Sequence, residues 1–124
     1  METEEAPPLP PSVLPSFRSE LCPCVPAELQ LQMVTIEAEF MKGRVRNGIN
    51  FETYLARWDL IAHLAILPSG ELIGFSISGT EQRGTKIFLY ELHVHQDKRG
   101  RGIGTALMEM AERTARGGQP ARSS

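Results

Sequence analysis

The chain has 124 residues, which fits a single domain, and its formal net charge is −2. This composition gives no sign of the overall basic field that a nucleic-acid-binding surface needs, although the last third is more basic than the acidic start. Cys22 and Cys24 are separated by one proline, so a bridge between them would be strained, and we expect free thiols.

Residues 1–26 carry most of the prolines, so they are predicted to form a flexible, proline-rich arm. One folded domain is expected over residues 27–116, followed by a flexible tail over residues 117–124. No apolar run is long enough to cross a bilayer, and the start lacks the pattern of a secretory signal. The expected location is therefore the cytoplasm, the nucleus or both.

The first predicted helix covers residues 27–42. Pro26 suits its first turn, and Gly43 is a typical stop. Apolar residues recur along it at helical spacing, which predicts a core-facing stripe of Leu29, Met33, Ile36 and Phe40. A short second helix is expected over residues 51–57, with Asn50 as its cap.

Three strands follow in the predicted order. Residues 60–67 are apolar on both faces, which is typical of a strand covered on both sides. Proline and glycine at the second and fourth positions of residues 67–70 predict a turn into a return strand over residues 71–79. Residues 86–95 predict another strand, with one face formed by Phe88, Tyr90, Leu92 and Val94. Tyr54 and Trp58, before the first strand, fit either the core or the rim of a site.

A glycine-rich turn, Arg-Gly-Arg-Gly-Ile-Gly at residues 99–104, connects this last strand to a helix predicted over residues 103–116. The unpaired N–H groups and the positive dipole end of a helix start favour an anion such as pyrophosphate. Arg99 and Arg101 add positive charge there. Such turns also occur without a ligand, so the pattern alone leaves both interpretations open. It lacks the Lys-Ser/Thr ending of a P-loop and the spacing of a dinucleotide-binding turn.

The pattern Arg99-x-x-Gly102-x-Gly104 after a strand resembles the acetyl-CoA motif of the GNAT superfamily of N-acetyltransferases. Residues 89–94, Leu-Tyr-Glu-Leu-His-Val, are most similar to the NatD branch, which acetylates the N-terminal amine of certain core histones. The resemblance implies an α/β (α+β) fold, the N-terminal part of the GNAT fold. It also implies acetyl-CoA as co-substrate, no metal, a protein N-terminus as acceptor with a core histone as candidate, and no direct contact with nucleic acid or membrane.

The same resemblance assigns roles to two groups of residues that would bind acetyl-CoA. Main-chain groups of Leu92, His93 and Val94 would pair with the pantetheine arm and the acetyl carbonyl. The pyrophosphate would be held by the backbone of the turn, which comprises Arg99, Gly100, Arg101, Gly102, Ile103, Gly104 and Thr105. A bulky residue at Gly102 is expected to weaken acetyl-CoA binding with little effect on the helix itself.

Glu91 is the candidate general base, because a carboxylate in an apolar strand is costly to bury unless it is paired, hydrated or functional. The alternative for Glu91 is an ion pair with a nearby Lys or Arg. Tyr90 would contact the peptide substrate, or else serve as a core or rim aromatic. Phe88 stands where the NatD branch tends to have a second tyrosine, so the hydrogen bond of that hydroxyl is missing. His93 and His95 share a strand face with Glu91, but no third metal ligand is marked.

Residues after 116 predict no further strand or helix, whereas the family's domain continues with a fifth strand and further elements. Three functions are therefore carried as alternatives. The first is acetylation of a protein N-terminal α-amine, and the second is acetylation of a small-molecule amine by the same fold. The third is a truncated, non-catalytic module that binds acetyl-CoA or a partner.

Overall fold

One antiparallel sheet with helices on both faces forms the part of the chain that the computed structural model describes, residues 14–44, 50–80 and 86–117. The proposed arm before residue 14 and the tail after residue 117 lie outside these residues. The sheet has the order β1-β2-β3-β4, and all its neighbours are antiparallel. The strands are β1 (Ser16–Leu21), β2 (Ile61–Ile66), β3 (Leu72–Thr80) and β4 (Ile87–Val94), and the helices are α1 (Ala27–Met41), α2 (Phe51–Leu55) and α3 (Ile103–Ala115).

Strand β1 corrects the prediction of a flexible arm over residues 1–26, which is wrong from residue 16 onward. Ser16 lies opposite Ile66 and Leu21 opposite Ile61, so the whole strand pairs with β2. The prolines that suggested an arm stand outside the strand, at Pro15 and in the short 3-10 turn Cys22–Cys24. Proline is tolerated at such positions because an edge strand leaves one side of its ladder unpaired.

Apolar packing on both faces of the central strands confirms the predicted double burial of β2. On one face α1 and α2 cover a large cluster: Cys22, Val25, Leu29, Met33, Phe51, Leu55, Leu60, Ala62, Leu64, Leu72, Phe75 and Ile77. On the other face α3 packs with a smaller cluster of Ala65, Ile73, Ile103 and Leu107. Both cysteines are free, with Cys22 buried and Cys24 exposed. None of the helices within the described ranges is long and apolar enough to cross a membrane.

Helix α1 packs with a face slightly different from the predicted one. Its buried positions are Leu29, Met33 and Glu37, whereas Phe40 keeps 40% of its surface exposed at the end of the helix. Gln32 fixes α1 to the β2–β3 hairpin, because its Oε1 accepts from the Leu72 N–H at 2.8 Å. The hairpin turn itself closes as predicted, with the Gly70 N–H donating to the Leu67 carbonyl at 2.8 Å.

An irregularity in the pairing of β3 with β4 determines which side chains reach the site. Ile77 lies opposite Glu91, but its neighbour Ser78 lies opposite Leu89, so Tyr90 is an extra residue on β4. A bulge of this kind breaks the two-residue alternation of a strand. The prediction of one common face for Phe88, Tyr90, Leu92 and Val94 is therefore wrong. Tyr90 turns toward α2, whereas Val94 packs with the cluster under α3.

Candidate active site

The outer edge of β4 presents main-chain groups to the solvent side of the sheet. The His95 N–H donates to the Ile73 carbonyl at 2.7 Å, which fixes the phase of the ladder between β3 and β4. In an antiparallel pair, main-chain groups alternate between the partner strand and the outside. The N–H and C=O groups of His93 therefore point to β3, and those of Leu92 and Val94 point to the edge that no described strand pairs with.

This phase changes the predicted set of main-chain contacts to a ligand. Leu92 and Val94 keep the edge positions that the resemblance implied. The main chain of His93 is committed to β3 instead, which corrects its expected role as a main-chain contact for pantetheine. The side chain of His93 has a different partner, described below.

The glycine-rich turn continues this edge into the start of α3. Gly100 and Gly102 have φ angles of +79° and +82°, a backbone conformation that favours glycine. Gly102 occupies the N-cap position of α3 without any side-chain cap, so the first N–H groups of the helix are left for an external acceptor. A cavity of about 350 Å³ runs along this region, lined by Val94, Lys98, Arg99, Gly100, Gly102, Ile103, Gly104 and Thr105.

Two arginines belong to this turn and differ in their surroundings. The Nε of Arg99 donates to the carbonyl oxygen of Val94 at 3.0 Å, so its side chain folds back on the edge of β4. The Nε of Arg101 is buried and has no hydrogen-bond partner among the described residues. A buried polar atom without a partner is costly, which favours an anionic ligand at Arg101.

Glu91 forms a short hydrogen bond with the side chain of His93. The Glu91 Oε1 lies 2.5 Å from the His93 Nε2, and the two side chains are 20% and 6% exposed. The imidazole is packed between Phe40, at 4.9 Å between ring centroids, and Phe75, at 5.2 Å. The side-chain partner of Glu91 is thus a histidine two residues away, and not the Lys or Arg that the alternative to a general base had named.

Tyr90 lies at the rim of the same region and is 37% exposed. Its ring centroid is 5.4 Å from that of Tyr54, and the Arg57 guanidinium lies 5.4 Å from its centre. Tyr54 is partly buried against the large cluster, so it is both a core and a rim residue. Trp58 is 65% exposed, which excludes it from the core.

Two of the buried ionisable residues, Glu37 and His63, have no counterpart among the predicted site residues. Glu37 is 3% exposed on α1, where it follows Met33 at the helical spacing of four that marked the stripe. His63 is fully buried on β2, and only its position inside an apolar strand could have signalled it. No three His, Cys, Asp or Glu side chains in the described ranges are grouped so that they could hold a metal ion.

Comparisons with known proteins were made by family profile, by sequence and by structure. The profile of the acetyltransferase (GNAT) family matches residues 15–120. The chain belongs to this family. A search of curated protein sequences gives no significant match.

Solved structures similar to the chain include several acetyltransferases. A ribosomal-protein-alanine N-acetyltransferase from Brucella melitensis is 21% identical with a TM-score of 0.61, over 82% of this chain and 72% of the other. An aminoglycoside acetyltransferase from a soil metagenome, in complex with trehalose, is 14% identical with a TM-score of 0.63, over 83% and 70%. Escherichia coli ElaA is 14% identical with a TM-score of 0.65, over 82% and 70%. A further neighbour is covered over only 63% of its length, so the chain spans roughly two thirds of such proteins.

The residues of this GNAT chain fit acetyl-CoA. The main-chain groups of Leu92 and the N–H of Val94 lie at the edge that no described strand pairs with, where the amides of the pantetheine arm can bind, while the Val94 carbonyl accepts from Arg99. The glycine turn leaves the first N–H groups of α3 without a side-chain cap. A pyrophosphate would satisfy these N–H groups, since oxygen anions bind at helix starts.

Proposed function

We propose that this protein transfers the acetyl group of acetyl-CoA to the N-terminal α-amine of a protein, with a core histone as the first acceptor to test. One observation carries the proposal: the carboxylate of Glu91 lies on the same strand as the open edge of Leu92 and Val94. A base next to the binding edge is what direct transfer to an amine requires. Cytoplasm and nucleus are the proposed locations.

Each group of residues has a defined task in this proposal. Acetyl-CoA, when bound, supplies a thioester whose acetyl carbon exchanges sulfur for the amine nitrogen, with release of the thiol and one proton. The edge groups of Leu92 and Val94 hold the pantetheine arm, and the N–H of one of them hydrogen-bonds the acetyl carbonyl. Arg101 and the glycine turn bind the pyrophosphate. Glu91 accepts a proton from the ammonium group of the acceptor, which makes the nitrogen nucleophilic.

The acceptor would lie on the α2 side of β4, where Tyr90 and Tyr54 form an aromatic rim. Such a rim suits the main chain of a peptide entering with its N-terminus first, because aromatic side chains combine apolar area with a polar tip. The Brucella neighbour with this fold is by name an acetyltransferase of a ribosomal protein. A small-molecule amine is the second candidate, since the neighbour named as an aminoglycoside acetyltransferase has a similar TM-score of 0.63.

An acceptor screen tests the proposal. The purified chain is incubated with acetyl-CoA and one of three candidate acceptors. These are a core-histone N-terminal peptide, the same peptide with a formylated N-terminus, and an aminoglycoside. We expect acetylation of the free-amine peptide alone. Glu91→Gln should lower kcat by about 10²- to 10⁴-fold, the usual contribution of a general base.

The controls separate binding from chemistry. Glu91→Gln should bind acetyl-CoA like the wild type in calorimetry, because the carboxylate is hydrogen-bonded to His93 and is assigned no part in holding the ligand. Acetylation of the aminoglycoside but not of the peptide would replace the first candidate by the second. Acetyl-CoA binding without acetylation of any amine would identify a non-catalytic binding module.

A further inference from the structure

The side chain of His93 has no role in the proposed function, yet it makes the shortest contact of the site. Its Nε2 lies 2.5 Å from the Oε1 of Glu91, a direct hydrogen bond to one carboxylate oxygen. Water reaches little of the pair, since His93 is 6% exposed and Glu91 20%. A hydrogen bond in such surroundings is electrostatically stronger than one in water.

The imidazole cannot turn away from this contact without opening the core. Phe40 of α1 meets it edge-on at 4.9 Å, and Phe75 of β3 lies 5.2 Å from it on the strand alongside. Phe75 is also its register partner across the ladder, so backbone and rings fix His93 together. The Glu91 carboxylate lies at the partly exposed rim, next to the bulge in β4. It is therefore held by an imidazole, that of His93, whose own position is fixed.

We propose that His93 is a positioning residue for Glu91: its Nε2–H donates to Oε1 and holds the carboxylate in place while Glu91 accepts the proton of the acceptor ammonium. This inference rests on the proposed function, because it assigns Glu91 as the base. The N–H bond of the ammonium breaks, its electron pair stays on nitrogen, and the proton binds to Oε2 of Glu91, because Oε1 already accepts the hydrogen bond of His93. It leaves to solvent before the next turnover. The second oxygen of Glu91, Oε2, is the one left to meet the acceptor.

Two substitutions separate positioning from packing. His93→Phe keeps an aromatic ring between Phe40 and Phe75 but removes the hydrogen bond to Glu91. His93→Gln supplies a side-chain amide that can donate to the carboxylate without being able to take up a proton. His95→Gln is the matched control, since His95 is the neighbouring histidine and contacts Asp97, at 3.9 Å, rather than Glu91.

Kinetics with the core-histone N-terminal peptide give the first readout. His93→Phe should lower kcat at least about ten-fold, within the range of a misplaced base, with KM for the peptide unchanged. His93→Gln should recover part of that loss, because its amide again donates to the carboxylate but has no ring to be held between Phe40 and Phe75. His95→Gln should equal the wild type. A His93→Phe enzyme with wild-type kcat would overturn the proposal. A rise in KM for the peptide with unchanged kcat would overturn it as well.

Nitrogen NMR of the imidazole gives a readout that does not depend on activity. The 15N shifts of the His93 imidazole should differ between the wild type and Glu91→Gln. Those of His95 should be the same in both proteins. Unchanged His93 shifts would overturn the pair itself. If the shifts are coupled but no amine is acetylated, the proposed function has failed and the pair is only a structural hydrogen bond, which also overturns the catalytic role. Acetyl-CoA binding by calorimetry checks that each variant is folded.

Discussion

His63 is an ionisable residue that is fully buried inside the sheet. Its Nδ1 lies 2.7 Å from the Ser19 Oγ, but its Nε2 and the facing Ser76 Oγ have no hydrogen-bond partner among the described residues. A second proton on the imidazole would therefore lack an acceptor. Burial, with a smaller contribution from the positive charge of Arg113, lowers the pKa of His63 to about 4.

This depressed pKa predicts acid sensitivity with a defined window. The unfolded chain binds a proton on His63 below a pKa of about 6.5, whereas the folded chain does so only near pH 4. The stabilisation is thus complete above pH ~6.5 and is lost as the pH falls toward 4. At about 1.4 kcal/mol per pKa unit, the free energy of unfolding should drop by roughly 3 kcal/mol across the window.

Urea unfolding of wild type and His63→Gln at pH 7 and pH 4.5 measures this effect. The wild type should lose about 2 to 3 kcal/mol more than the variant between the two pH values. His95→Gln, a change at a half-exposed histidine, should keep the wild-type loss. Parallel losses in wild type and His63→Gln would mean that another group causes the acid sensitivity.

At the scale of single elements, anion binding at the start of α3 can be tested by a substitution in the turn before it. The sequence alone suggested a bulky residue at Gly102, but another position gives a clearer result. Gly102 has a φ of +82°, so any other residue there strains the backbone even though the space is open. A substitution at Gly102 therefore confounds binding with folding. A Cβ on Gly104 would meet only the Val94 Cγ2, at 3.7 Å, in a helix where alanine is a better residue than glycine.

Gly104→Ala is expected to leave the melting temperature unchanged or raised and to weaken acetyl-CoA binding at least about ten-fold. The reason is that the added methyl group occupies the space that an anion needs at the first N–H groups of α3. Calorimetry gives the dissociation constant and a melt of the free protein gives the stability. Glu109→Ala, an exposed position of the same helix, is the control. Equal affinities of Gly104→Ala and wild type would remove the pyrophosphate from this turn.

The elements themselves were largely predictable from local pattern. Hydrophobic spacing and turn residues predicted α1 with its end one residue too late, the hairpin through Gly70, and the strand, turn and helix around Gly102. Strand β1 was missed because its flanking prolines dominate the composition of that stretch. The face of Tyr90 was missed because a bulge is decided by the pairing of two strands, which neither strand reveals alone.

The site was predictable in its backbone parts more than in its side-chain partners. Glycines that must adopt positive φ, such as Gly102, are visible in a sequence as glycines. The contact of Glu91 with His93 is a choice among several possible partners, and it depends on how Phe40 and Phe75 confine the ring. Which main-chain groups of residues 92–94 face outward depends on the phase of the ladder, which the sequence does not encode locally.

At the scale of the whole molecule, β4 carries several exposed apolar side chains next to an edge that no strand among the described residues pairs with. Phe88 is 49% exposed, Leu89 40%, and Tyr90 and Leu92 37% each. An edge strand with exposed apolar side chains invites pairing with other chains. A ligand that pairs with the edge would cover part of this surface and would add its binding free energy to the stability of the fold.

Thermal melts with and without acetyl-CoA measure that linkage directly. At a concentration of 100 times the dissociation constant, a ligand that binds only the folded state adds about 2.7 kcal/mol. For a domain of this size such a gain raises the melting temperature by roughly 10 °C. Glu91→Gln should show the same shift as the wild type, because the base does not hold the ligand, whereas Gly104→Ala should show a much smaller one. A cooperative melt that acetyl-CoA does not move at millimolar concentration would mean that the edge of β4 and the turn of α3 do not form a binding site in this chain. The relationship to acetyltransferases would then extend to its fold and not to its activity.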